Sequence, residues 1–235
     1  EMSASLVGSE MCIRDSSLDK AKILSSNVTN DTEQNMLKTL FENARSDGGY
    51  IGKQNFEDET ADGLDISGCD FENVLFRRCK FSRCDFERAS FCNTKFDGCD
   101  FANCNFENSY WKKTGISDSK GDGGNFSGSR FKECVWKDSS FCYANFSRAV
   151  FEGTHVRHCK FREAFLSEVK FRLTLFKETD FYRADFFKTP LKGMDMSDCI
   201  LDGILVSETF RELRGMKGGI EQALSLAGLL GMEIK

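Results

Sequence analysis

At 235 residues the chain allows one domain with at most a small appendage, and its 40% apolar composition is ample for a core. It carries a net charge of −5, and the surplus acid sits in the first 63 residues, which hold 12 acids against 6 bases. No run of 18 apolar residues occurs, so no membrane-spanning helix is expected, and 23 Phe against 4 Tyr, 2 Trp and a single Pro point to an internal repeat.

Residues 1–16 share no period with the rest, and the stretch from Ser5 to Ser16 resembles translated sequencing-adapter read-through. They are set aside as a non-native tail. They also lack the long apolar run of a signal peptide and begin with an acid. Residues 17–63 are expected to form a helical cap and a linker. From Asp31 to Arg45 the apolar residues Met36, Leu37, Leu40, Phe41 and Ala44 fall on one helical face, with Asp31 or Thr32 able to cap the start. That face must cover something, either the end of the structure that follows or a partner. Residues 47–63 read as a linker or an irregular first coil, in which Phe56 keeps the phase of the downstream repeat and Ala61 continues it weakly.

Residues 64–206 obey a period of five. Every fifth position from Ile66 to Val206 is apolar, Gly121 being the one exception among 29, where chance would give about 12. The core ladder is read as Phe71, Phe76, Phe81, Phe86, Phe91, Phe96, Phe101, Phe106, Phe126 and Phe146 with their equivalents. Two residues before each stands a small side chain, with Leu64, Met194 and Ile204 the exceptions. Period five fits neither a helix, near 3.6, nor a strand, at two. It fits a chain that turns a corner every five residues, with one large and one small side chain inward on each face. Four faces give a square coil of about twenty residues, and seven coils stacked at about 4.8 Å give a rod of roughly 34 Å.

Stretches such as Cys84-Asp85-Phe86-Glu87-Arg88, Ala144-Asn145-Phe146-Ser147-Arg148 and Ala184-Asp185-Phe186 resemble the pentapeptide-repeat pattern. The resemblance implies an all-β fold, the right-handed quadrilateral β-helix; periodicity alone does not give the hand. Asn105, Asn125 and Asn145, twenty apart, are placed to stack as an amide ladder. Eight cysteines (Cys69, Cys79, Cys84, Cys99, Cys104, Cys134, Cys159 and Cys199) occupy the small inward position, where a free thiol behaves as a small hydrophobe. Spacings of five do not suit metal ligation, so no metal or cofactor is expected, and so many adjacent thiols favour a reducing, cytoplasmic home. The two His, His155 and His158, stand on a rod with no evident cleft, and no nucleophile or acid–base arrangement can be placed in a pocket, so an enzyme is not expected.

From Trp111 to Asn125 the pattern is disturbed. Lys120-Gly121-Asp122-Gly123-Gly124 puts Gly in the central row, and a projecting loop that shifts the coil register is expected here. From Leu64 to Val206 there are 21 acids and 22 bases, but between Arg130 and Lys192 there are 13 bases and 8 acids. In twenty-residue coils Lys137, Arg157 and Lys177 align in one column. Lys112, Lys132, Arg172 and Lys192 align in another, broken by Glu152. Lys132, Lys137, Arg157, Arg172 and Lys177, with Lys120 and Asp122 of the expected loop, are the candidate partner-binding residues.

Residues 207–235 leave the five-residue rhythm. Glu221 to Leu230 reads as a helix ended by Gly231, and Met232 to Lys235 as a short strand. The ending from Glu221 to Lys235 resembles the C-terminus of the quinolone-resistance pentapeptide-repeat proteins. There the segment joins two rods into a dimer that binds DNA gyrase and topoisomerase IV, the rod being proposed to imitate duplex DNA. The resemblance implies a homodimer through Leu224, Leu229, Leu230, Met232 and Ile234 and a type II topoisomerase as partner; a monomeric cap is the other reading. The near-neutral rod departs from an acidic DNA mimic. The alternative function is a protein-interaction scaffold whose basic columns bind acidic partners or, less in keeping with the scarcity of outward aromatics, nucleic acid.

Overall fold

The computed structural model describes residues 36–46 and 48–232, all within one compact unit, Gln34–Lys235. Its plan follows from the period of five. The central residue of each five points inward, and the residue two places later takes a left-handed backbone, as at Asn73 (φ 56°), Arg78 (φ 49°), Arg83 (φ 52°) and Arg88 (φ 57°). These positions are the corners. For a side chain with a Cβ the conformation costs on the order of 1 kcal/mol, and it persists where the surroundings over-determine it. Here the ladder does so: most corner N–H groups donate to the next coil, Asn73 to the Cys92 carbonyl at 3.0 Å and Arg78 to that of Asp97 at 2.8 Å.

Four corners close a right-handed square coil, and coils stack in steps of twenty residues. The first and second faces are seven-stranded parallel sheets. One runs from Tyr50–Gly52 to Lys170–Arg172, the other from Asn55–Glu57 to Leu175–Lys177. The third face begins as the strand pair Thr60–Asp62 and Lys80–Ser82 and continues as single bridges through Asp100, Lys120, Ser140, Lys160 and Asp180 to Ile200. The fourth is bridges throughout, from Asp65 to Leu205. On it Asn105, Asn125 and Asn145 form the expected amide ladder: Asn125 Nδ2 donates to Asn105 Oδ1 at 3.1 Å and Asn145 Nδ2 to Asn125 Oδ1 at 3.3 Å.

The interior is a set of aromatic stacks. Phe86, Phe106, Phe126 and Phe146 lie face to face at centroid spacings of 4.8, 4.9 and 4.8 Å, the rise of the backbone ladder itself. All ten residues of the Phe ladder read from the sequence are buried. The small inward residues do more than fit. Thr114 Oγ1 donates to the Phe91 carbonyl at 2.9 Å, Ser129 Oγ to Phe106 at 2.7 Å, and Cys99 Sγ to Phe76 at 3.3 Å, each to a central residue of the preceding coil. Ser, Thr and Cys recur there because each combines small volume with a donor.

The expected projecting loop does not form. Lys120 bridges both Asp100 and Ser140, so residues 111–125 continue in register and the columns across them are unshifted. Gly121 is accommodated by its neighbours: a Cβ there would lie 2.7 Å from Phe101 and 2.9 Å from Phe141, two rings whose centroids stand 6.4 Å apart across the gap. The coil also begins earlier than residue 64. Ile51, Phe56 and Ala61 pair with Phe71, Phe76 and Phe81, so the acidic, glycine-bearing stretch is a regular first coil because its central positions remain apolar.

Helix α1, Met36–Ser46, covers this first coil. Leu37 and Phe41 are buried, and the Phe41 ring meets Phe56 and Phe71 edge-on at 5.9 Å each. Asp31, Thr32 and the tail lie outside the described residues. At the other end the chain stays on the rod past Val206, but the step widens to twenty-two, Asp195 pairing with Lys217. A 3₁₀ turn, Arg211–Leu213, takes up the extra length. Helix α2, Ile220–Leu229, then closes the end.

Candidate interaction surfaces

Three outward residues in every five give each face two columns and each corner one, with neighbours separated by one coil. The basic column of the second face forms as expected, Lys137 beside Arg157 beside Lys177. The adjacent corner column holds Asp138, His158, Glu178 and Asp198, and it neutralises the bases. Lys137 reaches Asp138 at 3.1 Å, Arg157 reaches Glu178 at 3.4 Å, and Lys177 reaches Asp198 at 2.6 Å. Lys137 first, and His158 with it, hold the Asp138 carboxyl below the usual carboxylate range, while Asp198 raises the Lys177 ammonium. His158 is clamped between two carboxylates, with Nδ1 3.2 Å from Asp138 Oδ1 and Nε2 against Glu178 Oε2.

The first face is different. Lys112, Lys132, Glu152 and Arg172 form one column, and the other, two residues earlier, is Tyr110, Arg130, Val150 and Lys170. Among the described residues no carboxylate lies within ion-pair distance of Lys112, Arg130, Lys132, Lys170 or Arg172. Arg130 and Lys170 were not singled out from the sequence, although the twenty-residue step places them there. Lys120 and Asp122 lie on the regular third face. Asp122 is partly buried and structural, its Oδ1 accepting from Ser140 Oγ at 2.6 Å and from the Cys142 N–H at 2.8 Å, with Lys120 Nζ 3.8 Å away.

Helix α2 divides its residues between the rod end and solvent. Gln222 is buried; its Oε1 accepts from the Gly219 N–H at 2.9 Å and its Nε2 donates to the Cys199 carbonyl at 2.8 Å. Leu226 and Leu229 lie against the core. Ile220, Leu224, Leu230 and Met232 face outward, at 81%, 47%, 63% and 60% exposure. Of the expected dimer residues, Leu229 therefore turns inward and is part of the cap, Leu224, Leu230 and Met232 are exposed, and Ile234 lies outside the described residues. Ile220, absent from that set, joins the exposed face. Among the described residues no group of three or more His, Cys, Asp or Glu is arranged to hold a metal, and no helix is long and apolar enough to cross a membrane.

The family model for pentapeptide repeats matches eight copies, over residues 64–108, 125–157 and 149–186. The rod is a pentapeptide-repeat solenoid. No curated protein matches the sequence. Among solved structures, a trypsin-treated single-site variant of QnrB1, a plasmid-mediated fluoroquinolone resistance protein, is 21% identical over 79% of this chain and 98% of its own, with a TM-score of 0.49. Full-length QnrB1 gives 19% identity, 78% and 100% coverage and 0.35. HetL, a pentapeptide-repeat protein of the cyanobacterium Nostoc involved in heterocyst differentiation regulation, gives 10%, 75%, 92% and 0.21 in the same order.

The unmatched residues 109–124 include Gly121 and Gly124, the central position of one pentapeptide repeat and the small inward position of the next, which explains the lapse in the pattern although the coil there is regular. Two end residues had no signal in the repeat pattern. Gln222 presents its amide to a carbonyl 23 residues earlier, and Glu212 is buried at 3% exposure. Burial would raise the Glu212 carboxyl. The backbone N–H groups of Glu212 and Lys188 and the Ser207 hydroxyl, at 2.8 Å, outweigh it and hold the group below its ordinary range.

Proposed function

We propose that this pentapeptide-repeat protein is a non-catalytic, cytoplasmic binding rod that pairs end to end through its C-terminal segment and engages a type II topoisomerase in the manner of the quinolone-resistance group. The observation that carries the reading is the apolar outer face of α2. Ile220, Leu224, Leu230 and Met232 stand exposed on a terminus whose inner face already covers the last coil, so capping does not account for them. A two-fold axis at the rod end would bury two such faces against each other. The topoisomerase reading rests on the resemblance of Glu221–Lys235 to the ending of that group. The balanced charge of the rod argues for recognition by shape and specific contacts rather than by a phosphate-like field.

The test is DNA supercoiling by gyrase in the presence of a quinolone. Added full-length protein should restore supercoiling in a concentration-dependent way, and the double variant Leu224→Glu/Leu230→Glu should lose that protection. No protection at any concentration would remove gyrase as the partner.

A further inference from the structure

The two basic columns that look alike in the sequence are unlike in space, and the difference points to a partner. On the second face each base has its own corner carboxylate at 2.6–3.4 Å, so that column offers little free charge. On the first face, Lys112, Arg130, Lys132, Lys170 and Arg172 share one strip of parallel sheet with a single outward acid, Glu152. The bases are exposed apart from Lys132, which is partly buried. Adjacent like charges on neighbouring parallel strands repel, and the strip lowers its energy by taking up polyanion. Its acidic counterpart, Asp70 and Glu72, lies on the first half of the same face, which confines the footprint to the second half.

We infer that this strip, with the corner beside it, is a docking surface for the phosphate backbone of double-stranded nucleic acid. From Lys112 to Arg172 the strip spans three coil steps, about 14 Å, so its five bases give roughly one base per 3 Å of rod axis. Each strand of a duplex carries one phosphate per about 3.4 Å of its axis, a closely similar density. The strip continues round the corner into a groove of about 650 Å³ lined by Arg148, Lys170 and Lys188 with Val169, Pro190 and Glu168, where a further phosphate fits. Glu168 there is 3.9 Å from Lys188, leaving Arg148 and Lys170 in excess. Single strands are disfavoured because they need stacked aromatics, and among the described residues Tyr110 is the only outward ring on this part of the face. A protein partner would need an apolar centre, and between the bases the two columns offer only the partly buried Val150 and Tyr110, the exposed Leu173 and Pro190 lying at the edge. The contacts hold phosphates, so binding would be independent of base sequence.

The inference concerns nucleic acid alone and stands apart from the topoisomerase reading, so its test contains no topoisomerase. Anisotropy of a fluorescent 20-base-pair duplex would be titrated with the full-length protein between 50 and 200 mM salt. With about four phosphates neutralised, affinity should fall about 100-fold over that range. Arg130→Gln/Lys132→Gln/Lys170→Gln/Arg172→Gln should weaken binding at least about tenfold and flatten the salt slope by about 3. Lys137→Gln/Arg157→Gln/Lys177→Gln on the second face should change affinity less than about twofold, with circular dichroism confirming that both variants keep the β-helix. No duplex binding at 50 mM salt, equal losses from the two faces, or displacement of the duplex by poly-glutamate at equal charge concentration would each overturn the inference.

Discussion

Phe146 shows what a single inward residue does. Its ring stacks on Phe126 at 4.8 Å, stands 5.6 Å from Phe161, and has no exposure, so Phe146→Ala should cost about 3–5 kcal/mol. Arg148, two residues on at an exposed corner, should cost under about 0.5 kcal/mol when replaced by Ala. Chemical denaturation of the two variants checks the pair, and equal costs would undo the inward and outward assignment. Gly121 inverts the rule. Restoring the repeat with Gly121→Phe should destabilise, by roughly 1–3 kcal/mol or more, because Phe101 and Phe141 already fill the site and even a Cβ approaches their rings to 2.7 and 2.9 Å. An unchanged or higher melting temperature would contradict that packing. The thiols divide in the same way. Cys134 and Cys159 are pushed up to about 12 and Cys199 to about 11 by burial, so they resist alkylation on both access and ionisation. The neighbouring Cys104 thiol draws Cys84 below the usual thiol range, yet at 1% exposure no reagent reaches it. Native labelling followed by mass spectrometry should find Cys92 and Cys142, both only partly buried, before any of the eight inward cysteines.

At the scale of the element, the last coil depends on one carboxylate. Glu212 Oε1 accepts the Lys188 N–H at 2.9 Å and Oε2 the Ser207 hydroxyl at 2.8 Å, and together they pin the 3₁₀ turn where the step widens to twenty-two. A folded-state pKa below the unfolded value means that the stabilisation is fully present above the unfolded value, about 4.3, and is lost as pH falls through the folded one. The rod end should therefore loosen in acid before the middle. Hydrogen exchange at Leu191 and Lys188 should accelerate below about pH 4 while that at Phe126 stays slow, and Glu212→Gln should show the faster exchange already at pH 7. Uniform protection at both sites down to pH 3 would mean that the coil does not rest on this group. Helix α1 makes the matching closure at the other end with apolar packing, Leu37 buried in the core and Phe41 lying on Phe56 and Phe71.

For the whole molecule the question is what two open ends do. The N-terminal end is covered by α1, and at the C-terminal end Gln222, Leu226 and Leu229 cover the last coil while the opposite side of α2 stays apolar and exposed. Removing α2 altogether would strip Cys199 of its Gln222 partner and uncover the core, so substitution separates pairing from capping better than deletion does. Leu224→Glu with Leu230→Glu should halve the mass measured by light scattering at tens of micromolar while leaving the β spectrum unchanged. A full-length protein that is already monomeric at that concentration would reduce the segment to a cap.

The one-dimensional part of this structure was legible from sequence because a solenoid repeats its environment: the same inward position recurs every five residues, so Phe71 to Phe146, the small residues beside them and the Asn105–Asn145 ladder could be placed from spacing alone. The basic columns were legible for the same reason, since a twenty-residue step fixes which outward residues are neighbours. What spacing could not carry was compensation between coils. Gly121 reads as a break and is in fact filled by rings twenty residues to either side, and Ile51 to Ala61 read as a linker because too few repeats stand there to reveal the phase. Spacing put Asp138 and Glu178 in columns neighbouring the bases, but it could not show that they and Asp198 pair with the second-face column while the first face keeps its charge, because that depends on which way each corner side chain turns. The roles of Glu212, Gln222 and Leu229 were settled only by tertiary structure: at the ends the repeat stops, each contact occurs once, and a contact that occurs once leaves no period to read.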